Sequence, residues 1–439
     1  MNPLASELND IITSENSYVY DMLSELGKEL FYPKGILTQT AEAKEKANRH
    51  DATIGIAKEG SRAMHLSCIM QSLNSLEADA AVTYAPTMGK LDLREAWAQE
   101  MLQKNPSLQG KAMSLPIVTS GLTHGLTLVG EMFVNPGDLV VLPDKIWGNY
   151  KMMFGTRNKA TLKQHAFFDR NGGFNVEAFS GLVREAATEH SKIILILNFP
   201  NNPTGYSITR QEAIAIRDVV VDVAEQGCNI VVAVDDAYFG LFFDQEVMRE
   251  SIFAHLADLH PRILAIKLDG ATKEDYVWGF RVGFITYSVG GSANKENIYN
   301  ALEKKTGGAI RAMISNCPHV SQSIIMEAMK SPAYNEQKRE KYELMKARAQ
   351  KVKEVLSDPK YDPAWEPYPF NSGYFMCLRL KTVDAEQLRK HLLNKYGVGV
   401  ITLDETDVRI AFSCLEVEDI QDLFDVMLQA VYDLEIRNQ

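Results

Sequence analysis

Six short apolar runs set the reading of the chain: SLPIV (114–118), DLVVL (138–142), KIILIL (192–197), NIVVAV (229–234), ILAIKL (263–268) and VGFITYS (282–288). Their apolar character is continuous rather than alternating, which marks strands buried on both faces. Helical patterns separate them. Strand–helix alternation at this spacing predicts an α/β fold whose large domain holds a mainly parallel, helix-covered sheet. A charged amphipathic stretch follows over residues 335–356, where Tyr342, Met345, Ala349, Val352 and Leu356 recur three or four apart and predict a long helix with one solvated face. The tail changes character: GYFMCLRL (373–380), a helix near 384–395, GVGVIT (397–402), DVRIAF (407–412) and a last helix. That pattern predicts a smaller α+β domain. With no repeat or linker to mark a boundary, we expect a large domain over residues 60–325 and a small domain from residues 1–59 and 326–439.

The unusual residues sit just past the strands. SLPIV leads into Thr119, Ser120, Gly121, Leu122 and Thr123; DLVVL into Pro143 and Trp147; KIILIL into NFPNNPTG (198–205); NIVVAV into Asp235, Asp236 and Tyr238; ILAIKL into Gly270, Thr272 and Lys273. In open α/β sheets this edge is where ligands bind. A glycine opening a helix, as Gly121 does, offers free N–H groups and the positive dipole end to a phosphate, although alone it is an ordinary strand-to-helix turn. Asp235, ending a very apolar strand, is predicted to be buried and to need a cation or several donors. Lys273 alone would be a surface lysine, and Trp147 alone would be core.

Bulk properties narrow the partners. A net charge of −11 supplies no basic field for nucleic acid or anionic lipid, so neither is expected as a partner. The five cysteines are scattered and form no CxxC pair, as expected of reduced thiols, and no metal site is expected. The first residues lack the basic start and apolar block of a secretory signal, and no apolar run approaches the roughly 20 residues of a membrane helix. A cytoplasmic protein is the expectation.

Taken in order, these segments resemble the class I/II aminotransferases among the fold-type-I pyridoxal-phosphate enzymes. Asn202-Pro203-Thr204-Gly205 is similar to the family's Asn-Pro-x-Gly signature, and Asp235 with Tyr238 to its Asp-x-x-Tyr pair. Lys273, Arg281 eight residues later, Tyr84 in YAPTMGKLDLR and Arg409 in DVRIAFS complete the match. The resemblance implies pyridoxal 5′-phosphate held as a Schiff base on Lys273, with Asp235 against the pyridine nitrogen. Tyr238 and Asn202 would bond the ring's 3′ oxygen and Trp147 would stack on its face. Arg281, Thr272 and the segment Gly121, Leu122 and Thr123 would hold the phosphate. Arg409, with Asn202, would take the substrate α-carboxylate. Tyr84 would reach the phosphate from a partner subunit, giving a homodimer with shared active sites.

The implied reaction moves an amino group between an amino acid and a 2-oxo acid in two half-reactions. Arg311, in AIRAMISNCP, is similar to the arginine of aspartate and aromatic aminotransferases that crosses the dimer, which favours aspartate or glutamate, or an aromatic amino acid, as substrate. It could equally be an interface residue. The same cradle serves lyases, decarboxylases and cyclopropane-forming synthases, and a non-catalytic ligand-sensing relative is a further alternative. A nucleotide-binding reading finds no GxGxxG or GxxxxGK[ST] after a strand. Two departures stand out. Gly270 occupies a position where the family often has a small hydroxyl residue, and Asp236 adds a second acid that is expected to point away from the ring.

Overall fold

The computed structural model describes residues 1–32, 35–291 and 294–438. Seven strands form the large sheet: β1 (Ile117–Thr119), β2 (Leu139–Pro143), β3 (Thr161–His165), β4 (Lys192–Asn198), β5 (Asn229–Asp235), β6 (Ile263–Asp269) and β7 (Gly283–Val289). Their order is β1-β7-β6-β5-β4-β2-β3. All six runs read from the sequence are strands here. The pairs β6–β5, β5–β4, β4–β2 and β2–β3 are parallel, whereas β7 runs antiparallel to both β6 and β1. The strand not anticipated, β3, has the sequence TLKQH and buries only His165. It closes one end of the sheet, so it lacks the continuous apolar face that reveals its neighbours.

Alternate residues of the central strands feed two cores. Leu139, Val141, Ile193, Leu195, Ile230 and Val232 pack against Phe179, Val183, Ile216 and Val220 on one face. Val140, Leu142, Ile194, Ile196, Val231 and Ala233 meet Leu126 and Val129 of α2 (Leu122–Phe133) on the other. Burial on this scale contributes about 1.5–3 kcal/mol per large apolar side chain, which explains why the runs show no polar alternation.

A second sheet has the order β8-β9-β11-β10, from β8 (Trp365–Pro367), β9 (Phe375–Leu380), β10 (Ile401–Thr402) and β11 (Asp407–Ala411), all antiparallel. Its core includes Met345, Ala349 and Val352 from α4 (Tyr334–Leu356), and Leu423, Phe424 and Met427 from α5 (Asp419–Asn438). Tyr342 and Leu356 pack at its margin, so the helical face expected over 335–356 is the face that is buried. The run 397–402 is two short strands rather than one: Val398–Gly399 pairs with His50–Asp51, and β10 pairs with β11. The early segment therefore joins the C-terminal sheet region, where Gln39 of α1 (Ile36–Lys46) also bonds Thr402. Among the described residues no helix is long and apolar enough to cross a membrane. α3 (Lys295–Ile314) runs along the large unit beside β7.

One departure noted in the sequence has a packing cause. A Cβ at Gly270 would lie 2.6 Å from the Val282 carbonyl oxygen and 2.7 Å from the Gly283 Cα, because β7 passes directly beside it. No hydroxyl side chain fits there. Gly270→Ser is expected to cost about 1–3 kcal/mol of stability as an overpacked site. Urea denaturation checks this, and an unchanged midpoint would contradict the packing argument.

Candidate active site

Because β7 runs against the others, its first residues lie at the edge where β1, β2, β4, β5 and β6 end. Arg281, two residues before β7, is thereby brought to the same place as the strand-end segments. A cavity of about 820 Å³ opens at this edge. Lys273, Asp235, Tyr238, Asn202, Trp147, Leu122, Thr123, Thr272, Arg281 and Arg409 all line it. Gly121 lies just behind: it has a positive φ of 77° and its missing side chain leaves room for the Arg281 guanidinium to pack on it.

Asp235 ends β5 and is 3% exposed. Tyr150 donates its hydroxyl to Oδ2 at 2.5 Å, and the Ala237 N–H donates to Oδ1 at 3.1 Å. Burial still pushes the carboxyl up, with those two donors and the Lys273 charge opposing it. Asp236, the next residue, faces the other way. Its Oδ2 accepts from Ser251 Oγ at 2.6 Å and pairs with Lys267, which also lies 3.3 Å from Asp269. Burial lifts the Asp236 carboxyl to about 6 against the pull of Lys267. It does not reach the cavity, as its place on the opposite side of the extended chain requires.

Lys273 sits in a four-residue helix, Ala271–Glu274. Its Nζ lies 5.2 Å from the centre of the Tyr238 ring, and its carbonyl accepts from Tyr374 Oη at 2.8 Å. Burial lowers the amine to about 8; Asp235 opposes the shift and Arg281 adds to it. At the opposite side of the cavity Arg409, in the middle of β11, is 2% exposed. It donates to Asn202 Oδ1 at 3.2 Å and to the Thr53 carbonyl at 2.9 Å, and its guanidinium lies 4.1 Å from the centre of the Phe375 ring.

Several polar groups here have no partner among the described residues. Arg409 Nε is buried without one. Among the described residues the Lys273 amine, the Tyr238 hydroxyl and the Asn202 amide nitrogen make no hydrogen bond either. Free groups of this kind converging on a cavity are aimed at a ligand. The set fits pyridoxal phosphate: a buried carboxylate for a cationic ring nitrogen, a free amine, and Arg281 with the first turn of α2 for a phosphate. Thr272 directs its hydroxyl at the Val282 carbonyl, 3.4 Å away.

Two residues the sequence suggested lie elsewhere. Tyr84 is 90% exposed, and Arg311 is exposed with its guanidinium donating to Ser315 Oγ at 2.7 Å. Both occupy one outer region, where Thr83 bonds His319 and Gly307 packs against Met88. Two others were not anticipated. Tyr150 supports Asp235, and its only sequence signal is its place three residues after Trp147. Lys145 pairs with the buried Asp407 at 2.6 Å, bridging the segment after β2 to the start of β11.

A family model described as "Aminotransferase class I and II" matches residues 53–427. Among curated relatives, a probable N-acetyl-LL-diaminopimelate aminotransferase of Bacillus subtilis (strain 168) is 28% identical over 46% of this chain and 47% of its own length. A probable aspartate/prephenate aminotransferase of Aquifex aeolicus (strain VF5) is 25% identical over 64% of this chain and 69% of its own. The chain thus spans about half of the first and about two thirds of the second. A crystal structure of an aminotransferase from Anaerococcus prevotii DSM 20548 superposes with a TM-score of 0.82 at 21% identity, covering 94% of this chain and 99% of that one. At that identity the likeness speaks to the fold.

The lowered amine of Lys273 has a kinetic consequence. Only the neutral amine attacks an aldehyde, so uptake of pyridoxal phosphate by the cofactor-free chain should accelerate with rising pH and level off past a midpoint near about 8. A stopped-flow pH series checks this. A rate still climbing tenfold per pH unit above pH 9 would contradict it.

Proposed function

Because the chain belongs to the class I and II aminotransferases, we propose that it is a pyridoxal phosphate-dependent transaminase that carries its cofactor on Lys273. One observation carries the reading: a buried carboxylate short of a cation, Asp235, faces the same cavity as a buried, unpartnered lysine amine. Bound pyridoxal phosphate supplies an electron sink for the pair left when the substrate Cα–H bond breaks. Asp235 keeps a proton on the ring nitrogen, and Tyr150 and the Ala237 N–H hold the carboxylate in place for that task. Tyr238 and Asn202 present their free donors to the ring oxygen, and Trp147 covers a ring face. Arg281, Thr272, Leu122 and Thr123 hold the phosphate, over the space left by Gly121.

Arg409 binds the substrate α-carboxylate with the donors it has free, and Asn202 orients it. Lys273 Nζ would act as the base that takes the proton from the substrate Cα and hands it on, a task suited to an amine near neutral pH. One amino acid gives up its amino group and leaves as a 2-oxo acid; a second oxo acid then receives that group. The residues 60–325 form the cofactor-binding domain in this reading, with 1–59 and 326–439 as the small domain. The unpaired cysteines fit a reducing cytoplasm.

The active unit we infer is a homodimer. Tyr84 and Arg311 share an outer region with the exposed apolar side chains Met70, Leu73, Val82, Ile314 and Val320, a patch of the kind that a second subunit covers. From there Tyr84 reaches the partner's phosphate and Arg311 the side chain of its substrate. The preferred substrates are therefore aspartate or glutamate with a 2-oxo acid.

Borohydride reduction and peptide mapping should place the pyridoxyl group on Lys273, and Lys273→Ala should lower transamination at least about a hundredfold. A label on another lysine would overturn the reading. Arg311→Ala should lower turnover of aspartate and glutamate roughly ten- to a hundredfold, the worth of a charge-assisted contact, and leave alanine and leucine nearly unchanged. Equal losses across these substrates would remove the dicarboxylate assignment.

A further inference from the structure

The two residues after Lys273 are both acids, and the reaction as read above uses neither. Glu274 Oε1 lies 2.5 Å from Lys104 Nζ and 3.1 Å from Lys338 Nζ. Asp275 is fully buried; its Oδ1 accepts from Tyr334 Oη at 2.8 Å and pairs with Lys338 at 2.9 Å. Lys104 also meets Glu100 at 2.8 Å. Six side chains from three separate stretches of the chain thus converge directly behind the residue that carries the cofactor. The two ammonium groups hold the Glu274 carboxyl well below the usual carboxylate range despite its burial.

The placement matters because the helix Ala271–Glu274 is a single turn. So short a helix has no stability of its own, since nucleation costs more than one turn returns. Its orientation must come from outside. Tyr374 holds the Lys273 carbonyl on one side. On the other side the cluster grips the next two residues, and among the described residues Lys338 is the one group that bonds both carboxylates.

Lys338 also has a second connection. It lies in the first turns of α4, whose later residues Met345, Ala349 and Val352 pack in the core beneath the smaller sheet. On the same helix the buried Arg348 donates to the Ser413 carbonyl at 2.6 Å and pairs with Glu416 at 2.9 Å, just beyond the strand that carries Arg409. One rigid element thus runs from the turn behind Lys273 to the surroundings of Arg409.

We propose that Lys338 is a positioning residue for the reaction: by bridging Glu274 and Asp275 it fixes the turn that presents Lys273, and through α4 it sets that turn relative to Arg409. The inference rests on Lys273 being the cofactor-bearing residue. Removing Lys338 frees the turn, so the amine shifts relative to Asp235 and Arg281, the two charges that set its protonation. The holoenzyme should report this in its visible absorbance as well as in its rate.

The test compares Lys338→Met and Tyr334→Phe with the parent holoenzyme, by kcat, KM and the pH midpoint of the bound cofactor's visible band. Lys338→Met should lower kcat about ten- to a hundredfold, the scale of a misplaced reacting group, with KM within about twofold, and should move the midpoint. Tyr334→Phe removes the hydrogen bond to Asp275 and the one that Lys338 donates to the hydroxyl, but leaves the ion pairs, so it should shift the same quantities in the same direction by less. If Lys338→Met does not fold, Tyr334→Phe decides alone. Variants with a lower melting temperature but parental kcat and midpoint would reduce the cluster to a fold-stabilising role and overturn the proposal. A parent enzyme whose cofactor maps to a lysine other than 273 would instead overturn the reading on which it rests.

Discussion

A buried carboxylate at the end of a central, largely buried strand is the constraint around which this site is organised. Taking one carboxylate out of water costs several kcal/mol unless charges and donors replace the solvent. At Asp235 the chain supplies the Tyr150 hydroxyl and one backbone N–H, and burial nonetheless pushes the carboxyl upward. Among the described residues no cation pairs with it, and in the proposed function a protonated pyridine ring would supply one. The neighbouring Asp236 shows the contrast: it is equally buried, yet its cation, Lys267, is built into the next strand. Of two adjacent acids, one has its counter-cation within the protein, and in the proposed function the other would receive its cation from a ligand.

The remaining groups follow from the sheet. Parallel strands deliver the segments after β1, β2, β4, β5 and β6 to one edge. The single antiparallel strand adds its N-terminal approach, and with it Arg281, to that edge. A fully parallel sheet would send this arginine to the far side. Burial, aided by the Arg281 charge, then lowers the Lys273 amine to about 8 against the opposing pull of Asp235. The same arrangement that makes a phosphate site also makes the lysine a usable base.

Much of this was legible in the sequence because it depends on local pattern. Six strands showed as continuous apolar runs, and Asp235, Lys273 and the NFPNNPTG segment stood out as polar groups at their ends. β3 was hidden because a strand at the sheet's border needs no apolar face on both sides. Tyr150, the Lys145–Asp407 pair and the cluster behind Lys273 were hidden for another reason. Their partners come from elements as far apart in sequence as Lys104 and Lys338, and pairing across such distances leaves no periodic trace. Tyr84 and Arg311 were visible as motif residues, yet both are exposed and neither lines the cavity.

The dependence on Asp235 is tested most directly by the single-turnover rate of Asp235→Asn with an amino acid substrate. The amide has nearly the same shape and cannot hold the ring proton by charge. Loss of one member of a buried charge pair costs about 3–5 kcal/mol, so the rate should fall on the order of a thousandfold while the cofactor still maps to Lys273. A variant that reacts within about threefold of the parent would show that the ring needs no counter-charge there, and would contradict the role given to this residue.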